Sequence, residues 1–222
     1  MVNMKVSIVI LTFNEEKNLV KVLEQISKNH YEIIIVDHHS EDKTVEVARR
    51  FGAKVIFDEV GKGWAIREGL RAAKGDIIIT MDADLSHREI EIGLLTEAIN
   101  AGFDIAMGSR FIQGGGTEDM PWYRNIGNKF FVFLVNLFWD TNYSDLCYGY
   151  RSFSKSCIKK LNLKSEGFGI EAEIAIKAAK KNLKVIEIPS FEKARASGKG
   201  KLRTFRDGWI ILKTIFNELF SD

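Results

Sequence analysis

Short apolar runs alternate with amphipathic stretches along the first hundred residues of the chain. Residues 6–11 form an apolar run that predicts a strand, and Leu19, Val22, Leu23 and Ile26 then recur at helical spacing. The same alternation predicts strands over 33–36, 54–57, 77–81 and 103–108. It predicts helices over 45–51, 64–73 and about 89–100. Strands apolar on both faces that alternate with helices point to an α/β fold, with a mostly parallel sheet covered by helices.

After Arg110 the pattern changes. Residues 113–117 are glycine-rich and predict a loop, and Pro121 stands where a helix can begin. Residues 122–139 read as a long aromatic-rich helix. A strand near 148–153, a helix near 170–181 and a last strand over 185–188 follow. Residues 193–206 are polar and contain glycine, and 209–220 are amphipathic. With no repeat, low-complexity block or linker, residues 1–222 are expected to form a single domain with an elaborated C-terminal third.

Composition narrows the class. Of 222 residues, 45% are hydrophobic and 28% charged, which excludes a disordered or collagen-like chain. Cys147 and Cys157 form no CxxC pair and lack zinc-ligand companions, so two reduced packing cysteines of a cytosolic protein are expected. A net charge of +2 carries no global polyanion signal, so nucleic acid is not an expected partner. The longest uncharged apolar run, 130–139, is too short to span a bilayer, and no signal peptide is expected at the start.

In open parallel α/β sheets, ligands bind beyond the carboxyl ends of the strands. The predicted strands end in Thr12-Phe13-Asn14-Glu15, in Asp37-His38-His39-Ser40, in Asp58 followed by Gly61-Lys62-Gly63, in Asp82-Ala83-Asp84, and in Ser109-Arg110. Two carboxylates one residue apart, Asp82 and Asp84, suit a hard divalent cation such as Mg²⁺ or Mn²⁺ whose shell is completed by phosphates. The competing reading is a turn that caps the next helix, but Ser86-His87-Arg88-Glu89 already reads as a capping box for that role. Beside Lys62 and Arg110, the metal–diphosphate reading is favoured. Gly61-Lys62-Gly63 is neither a P-loop nor a dinucleotide fingerprint. It reads as a phosphate cradle with Lys62 in reach, or as a plain turn. His38, His39 and His87 lack a third zinc ligand at suitable spacing and are expected at the surface or pocket edge.

Residues 193–206 carry Lys193, Arg195, Lys199, Lys201, Arg203 and Arg206 with no acid among them. Trp209, Leu212, Phe216 and Leu219 then share one helical face. A basic segment joined to an aromatic amphipathic helix suits an anionic membrane surface. The helical periodicity alone equally suits docking on the core or in a dimer contact. The aromatic run 122–139 favours the membrane.

With these residues in place, the chain resembles the inverting, nucleotide-sugar-dependent glycosyltransferases of family 2, which have the GT-A fold. Within that family it looks most like the polyprenyl-phosphate hexose synthases. The matching stretches are VSIVILTFNEEKNL, IIIVDHHSEDKT, GKGWAIREGL, GDIIITMDADLSH, GSRF, RNIGNKFF, DLCYGYR, EGFGIEAEIA and RASGKGKL, in the expected order. The resemblance implies a nucleotide-sugar half over about 1–110 and an acceptor- and membrane-facing half over about 111–222. It implies that Leu11, Thr12, Phe13, Glu15, Val36, Asp37 and His38 hold the nucleoside. Asp82, Ala83 and Asp84 would bind the donor and a Mg²⁺ or Mn²⁺, with Asp84 the direct metal ligand. Arg110, Arg124 and Asn128 match positions that meet an acceptor phosphate. Arg195 and Lys201 match a basic loop that closes on the donor diphosphate.

The expected reaction is hexose transfer, of mannose or glucose, to a polyprenyl (dolichyl) phosphate. A lipid phosphate is already anionic, so strong base help is unnecessary. Asp145 is the candidate if a base or sugar-binding carboxylate exists. The alternative is a family 2 transferase acting on a sugar hydroxyl, and a non-enzymatic binding subunit is a third reading. The expected location is the cytoplasmic face of a membrane, held peripherally, with a membrane subunit or a second copy as a further partner. The chain departs from the family pattern at His38, where a carboxylate is usual, and at Ser86, where mannose synthases often have Gln.

Overall fold

Alternate residues of an isoleucine-rich strand point to opposite faces of a sheet, so each such strand feeds two cores. Val9 packs in one core while Ile8 and Ile10 pack in the other. Ile34 and Ile35 divide in the same way, as do Ile78 and Ile79. A computed structural model describes residues 4–26, 29–196 and 204–221.

The elements in chain order begin with β1 (Val6–Thr12), α1 (Glu16–Ile26), β2 (Glu32–Asp37), α2 (Thr44–Arg50), β3 (Lys54–Phe57) and α3 (Lys62–Ala72). Next come β4 (Ile77–Asp82), α4 (Glu91–Asn100), β5 (Ile105–Ser109), β6 (Gly116–Thr117) and α5 (Trp122–Trp139). The chain closes with β7 (Arg151–Ser154), α6 (Lys155–Leu161), α7 (Ile170–Lys180), β8 (Val185–Pro189), β9 (Phe191–Glu192) and α8 (Thr204–Leu219).

Seven strands form one sheet in the order β3-β2-β1-β4-β7-β5-β8, and β6 pairs with β9 in a separate ribbon. All pairings in the large sheet are parallel except those of β7, which runs antiparallel between β4 and β5. Register decides what the strand ends share. Thr12 lies opposite Asp37, and Leu11 lies opposite Asp82. The carboxyl ends of β1, β2 and β4 therefore bring their polar residues to one edge.

Helix α3 lies close on the sheet because Gly69 has no side chain. A Cβ there would come within 2.2 Å of Val9 Cγ1. On α8, Asp207, Ile211 and Ile215 are buried, while Phe205, Trp209, Phe216 and Leu219 are exposed. On α5, Asn128 and Val135 are buried, while Trp122, Ile126, Phe130, Phe133 and Leu137 are exposed. The two helices pack on each other. Among the described residues, no helix is long and apolar enough to cross a membrane.

Three expectations are corrected here. Ser86-His87-Arg88-Glu89 is not the cap of the next helix: α4 begins at Glu91, after Ile90, and has no side-chain cap. Ser86 instead donates its hydroxyl and its amide to Asp84 Oδ1. His87 is buried, stacked on Tyr150 at 4.5 Å, and its Nδ1 accepts the Asp82 amide, so it belongs to the core of the loop and not its surface. The segment after 113 contributes a short strand at Gly116–Thr117 because Phe191–Glu192 returns beside it.

Candidate active site

A cleft of about 1090 Å³ opens along the carboxyl edge of β1, β2 and β4 and runs between α5 and α8. Leu11, Thr12, Phe13, Glu15, Val36, His38 and Lys62 line it, as do Asp82, Ala83, Asp84, Arg110, Arg124, Asn128 and Arg195. Sequence reasoning scattered these positions over nearly two hundred residues, and the fold gathers them around one space. Lys199, Lys201 and Arg203 lie outside the described residues.

Asp84 is nearly buried, and its Oδ2 sits 2.7 Å from Arg195 Nη2. Arg195 Nη1 reaches Glu15 Oε1 at 3.5 Å. The segment carrying Arg195 is tied to the Asp84 loop by backbone hydrogen bonds, Lys193 N–H to Ser86 O and Ala196 N–H to Asp84 O. Burial alone would raise the Asp84 pKa. The electrostatic interaction with the His87 ring, hydrogen bonds from Ser86 and the Arg195 charge outweigh it and hold the carboxyl below its usual range.

The donor set fits a hard divalent cation. Asp82 and Asp84 face the same cleft, and Asp84 already draws a cation onto its outer oxygen. Among the described residues, no group of three or more His, Cys, Asp or Glu side chains could hold a metal unaided. A Mg²⁺ or Mn²⁺ here therefore needs oxygens from a bound phosphate and water, as Mg²⁺ sites commonly do.

Two expected site residues are not in the cleft wall. Asp37 is fully buried and accepts hydrogen bonds from Thr12 Oγ1 (2.7 Å), Ser40 N (2.8 Å) and Ser40 Oγ (2.6 Å). It ties the ends of β1 and β2 together. Asp145 is also fully buried, with Oδ2 2.7 Å from Arg110 Nε and Oδ1 2.9 Å from Arg110 Nη2. A carboxylate sealed in this way has no open path to a substrate proton.

Arg110 is also not an open phosphate clamp. Its Nη1 donates to Glu192 Oε2 at 3.1 Å, and its guanidinium lies 4.5 Å from the Tyr148 ring centroid. Burial pushes its pKa down, but Asp145 and Glu192 together push it further up, so the charge is locked on. One cation is thus shared by two carboxylates at the cleft wall.

The Gly61-Lys62-Gly63 cradle is occupied by protein. The amides of Gly63 and Trp64 donate to Glu166 O at 2.9 and 3.3 Å. A Cβ on Gly63 would sit 2.4 Å from Ser165 O, so glycine is needed for this backbone to approach. Lys62 Nζ pairs with Glu171 Oε1 at 2.7 Å. Burial lowers the Lys62 pKa, and the Asp82 and Glu171 charges more than reverse this, keeping the ammonium protonated.

On the α5 wall, Asn128 Oδ1 accepts the amides of Leu146 and Cys147 at 3.2 and 3.1 Å. Its Nδ2 is buried and has no hydrogen-bond partner among the described residues. Arg124, one turn earlier, lines the cleft and donates from Nε to Thr204 Oγ1 at 3.3 Å. Beyond them, Tyr123, Phe130, Phe205 and Trp209 form an aromatic mouth.

The model of glycosyl transferase family 2 matches residues 7–161. The chain belongs to that family. It is 36% identical over 228 residues to the dolichol-phosphate mannosyltransferase of Pyrococcus furiosus, covering 97% of this chain and 62% of that protein. It is 30% identical to the dolichyl-phosphate hexose transferase of Haloferax volcanii, covering 94% of this chain and 91% of that one. Its fold is GT-A. It superposes on the glucosyl-3-phosphoglycerate synthase of Mycobacterium tuberculosis, solved with Mn²⁺, UDP and glucosyl-3-phosphoglycerate, with a TM-score of 0.77 at 19% identity. That match covers 98% of this chain and 80% of the other.

Asp58, expected at the strand-end edge, lines the cleft beside His38. Sequence reasoning missed two acids of the cleft region: Glu171 holds Lys62, and Glu192 holds Arg110. Glu192 follows the last strand of the large sheet, so extending the strand-end rule to that strand would have found it. Glu171 lies on a helix, where no strand-end rule looks.

Proposed function

We propose that the chain is an inverting hexosyltransferase that moves mannose or glucose from a nucleoside diphosphate sugar to a polyprenyl (dolichyl) phosphate. We further propose that it works peripherally at the cytoplasmic face of a membrane, docked through α5 and α8. The observation that carries this reading is the continuity of one cleft. It begins at the strand-end carboxylates Asp82 and Asp84, passes Arg124 and Asn128, and ends at the exposed aromatic side chains of α5 and α8. A phosphate carrying an apolar tail needs charge and donors inside with an apolar rim outside, and this order supplies both.

Family membership and the names of the Pyrococcus and Haloferax relatives support the same acceptor class. The chain spans 62% of the Pyrococcus protein's length, so the activity is argued from the site as well. Asp84, with Asp82, would hold a Mg²⁺ or Mn²⁺, which when bound neutralises charge developing on the leaving diphosphate. Arg195, freed from Asp84, adds a guanidinium to the same diphosphate, with Lys201 as a second cation from the same segment. Arg124 and the Asn128 Nδ2 donor hold the attacking phosphate on the opposite wall. One displacement at the anomeric carbon then forms the new C–O bond as the diphosphate oxygen leaves, which inverts the configuration.

A lipid phosphate needs no general base, and the burial of Asp145 supports that acceptor over a sugar hydroxyl. We assign Asp145, with Glu192, the task of holding Arg110 in place. The test incubates the protein with Mg²⁺ or Mn²⁺, a panel of nucleotide sugars and a short polyprenyl phosphate, and follows nucleoside diphosphate release. Release that requires the lipid phosphate is expected. Release at the same rate with a glycan acceptor and none with the lipid phosphate would overturn the reading.

A further inference from the structure

Glu192 stands in the cleft wall on β9, and its two carboxylate oxygens have different surroundings. Oε2 accepts a hydrogen bond from Arg110 Nη1 at 3.1 Å and another from Thr117 Oγ1 at 2.6 Å. Oε1 makes no hydrogen bond among the described residues, and the side chain is 16% exposed. Both anchors are themselves held. Arg110 is fixed by Asp145 through two further hydrogen bonds, and the pairing of β6 with β9 sets Thr117 opposite Glu192. A carboxylate clamped through one oxygen, with the other outside the clamp, is a preorganised acceptor.

Its neighbours place Glu192 between the two ends of the cleft. The next residue, Lys193, donates its amide to Ser86 O in the Asp84 loop. On the other side, Arg110 leads through Asp145 to Leu146, whose amide is held by Asn128. In the transfer proposed above, the donor diphosphate lies at Asp84 and the acceptor phosphate at Asn128, so the hexose comes between them. The inference rests on that reading. An anionic oxygen repels either phosphate, whereas a hexose is neutral and offers hydroxyl donors. A hydroxyl on a carboxylate makes a short, charge-assisted hydrogen bond.

We propose that Glu192 is a specificity-determining residue whose Oε1 accepts a hydrogen bond from one hydroxyl of the transferred hexose. A donor lacking that hydroxyl leaves the carboxylate oxygen unpaired in the closed complex, and that penalty is what discriminates. One side chain then has two tasks: Oε2 holds Arg110, and Oε1 reads the sugar.

The test measures kcat/KM for nucleoside diphosphate release with Mg²⁺ or Mn²⁺ and a short polyprenyl phosphate. The donors are GDP-mannose, UDP-glucose and their 2-, 3-, 4- and 6-deoxy forms. Glu192→Gln keeps an oxygen toward Arg110 and Thr117 and turns an amide N–H outward. Glu192→Ala removes both oxygens and leaves Arg110 on Asp145. In the wild type, loss of one particular hydroxyl should cost roughly ten- to hundred-fold, the scale of a hydrogen bond to a charged group. That cost should shrink in Glu192→Gln and vanish in Glu192→Ala, while the costs at the other positions stay as they were. The intrinsic reactivity of each deoxy donor is common to all three proteins and cancels in the comparison. GDP and UDP carry no hexose, so their binding to Glu192→Gln should match the wild type. A wild type indifferent to every hydroxyl, or costs that survive both substitutions at every position, would overturn the assignment and leave the transfer reading intact. No release from either parent donor would remove the transfer reading itself, and this inference with it.

Discussion

Arg195 Nη2 lies 2.7 Å from Asp84 Oδ2, on the carboxylate proposed to hold a divalent cation. Two cations on one carboxylate repel each other, so a metal ion on Asp84 is expected to weaken the Arg195 contact. Removing the competitor should then strengthen metal binding while weakening catalysis. Mn²⁺ titration of Arg195→Ala without nucleotide is expected to give roughly two- to five-fold tighter binding, the scale of a partly exposed ion pair. The same variant should turn over more slowly once donor is present. Unchanged or weaker Mn²⁺ binding would mean that Arg195 does not contest the site.

The Arg110–Asp145 pair is expected to act through stability. Both side chains are buried and joined by two hydrogen bonds. Breaking a buried pair from one side leaves an uncompensated charge and costs about 3–5 kcal/mol. Asp145→Ala should therefore lower the unfolding free energy by that order in urea titration. The pH–rate profile of the protein that remains folded should keep its shape. Loss of a titrating limb from that profile would restore Asp145 as a base.

Asn128 separates fold from function within one side chain. Oδ1 ties down the backbone at Leu146 and Cys147, and Nδ2 is a buried donor without a partner among the described residues. Asn128→Asp keeps the acceptor and puts a negative oxygen where the donor was. Use of the lipid phosphate should fall by at least ten-fold while donor binding changes little, the cost of losing one hydrogen bond to a charged group. Arg124→Ala should show the same bias. Equal losses on the donor and acceptor sides would point to a packing defect.

The membrane claim is separable from the cleft. Trp122, Phe133 and Phe220 are exposed and do not line the cleft. Replacing all three with Ser should reduce co-sedimentation with anionic vesicles by on the order of ten-fold, since apolar insertion adds to electrostatic attraction. Turnover of a short, water-soluble acceptor should be preserved. Full vesicle binding by the triple variant would rule out α5 and α8 as the docking face.

The cysteines give a simpler check on burial. Desolvation pushes the Cys147 thiol up to about 12 and the Cys157 thiol up to about 11, so little thiolate exists near neutrality. Both are free thiols. A thiol reagent should label the native protein far more slowly than the urea-unfolded chain.

Much of the architecture was legible because β1, β2, β4 and β5 are apolar on both faces, which leaves few alternatives to a covered parallel sheet. The antiparallel insertion of β7 was not legible. Residues 148–153 carry tyrosines and a buried arginine, and strand direction depends on the partners that β4 and β5 offer. Helix α6 was missed because seven residues with three lysines give almost no periodic signal. At the site, the strand-end rule found Asp82, Asp84, Arg110 and His38, but it could not say how charges pair. Arg110 reads as an open cation in sequence, and only tertiary packing delivers Asp145 and Glu192 to its three nitrogens. Lys62 is likewise claimed by Glu171, more than a hundred residues away.

The most direct measurement is the chemistry of the product. An α-linked nucleotide sugar and a short polyprenyl phosphate, incubated with the wild-type protein and Mg²⁺ or Mn²⁺, should yield a hexosyl-phosphoryl-polyprenol whose anomeric carbon is β by NMR. Asp84→Ala should yield none. A product of retained configuration, or equal product formation by Asp84→Ala, would contradict an inverting transfer organised around Asp84.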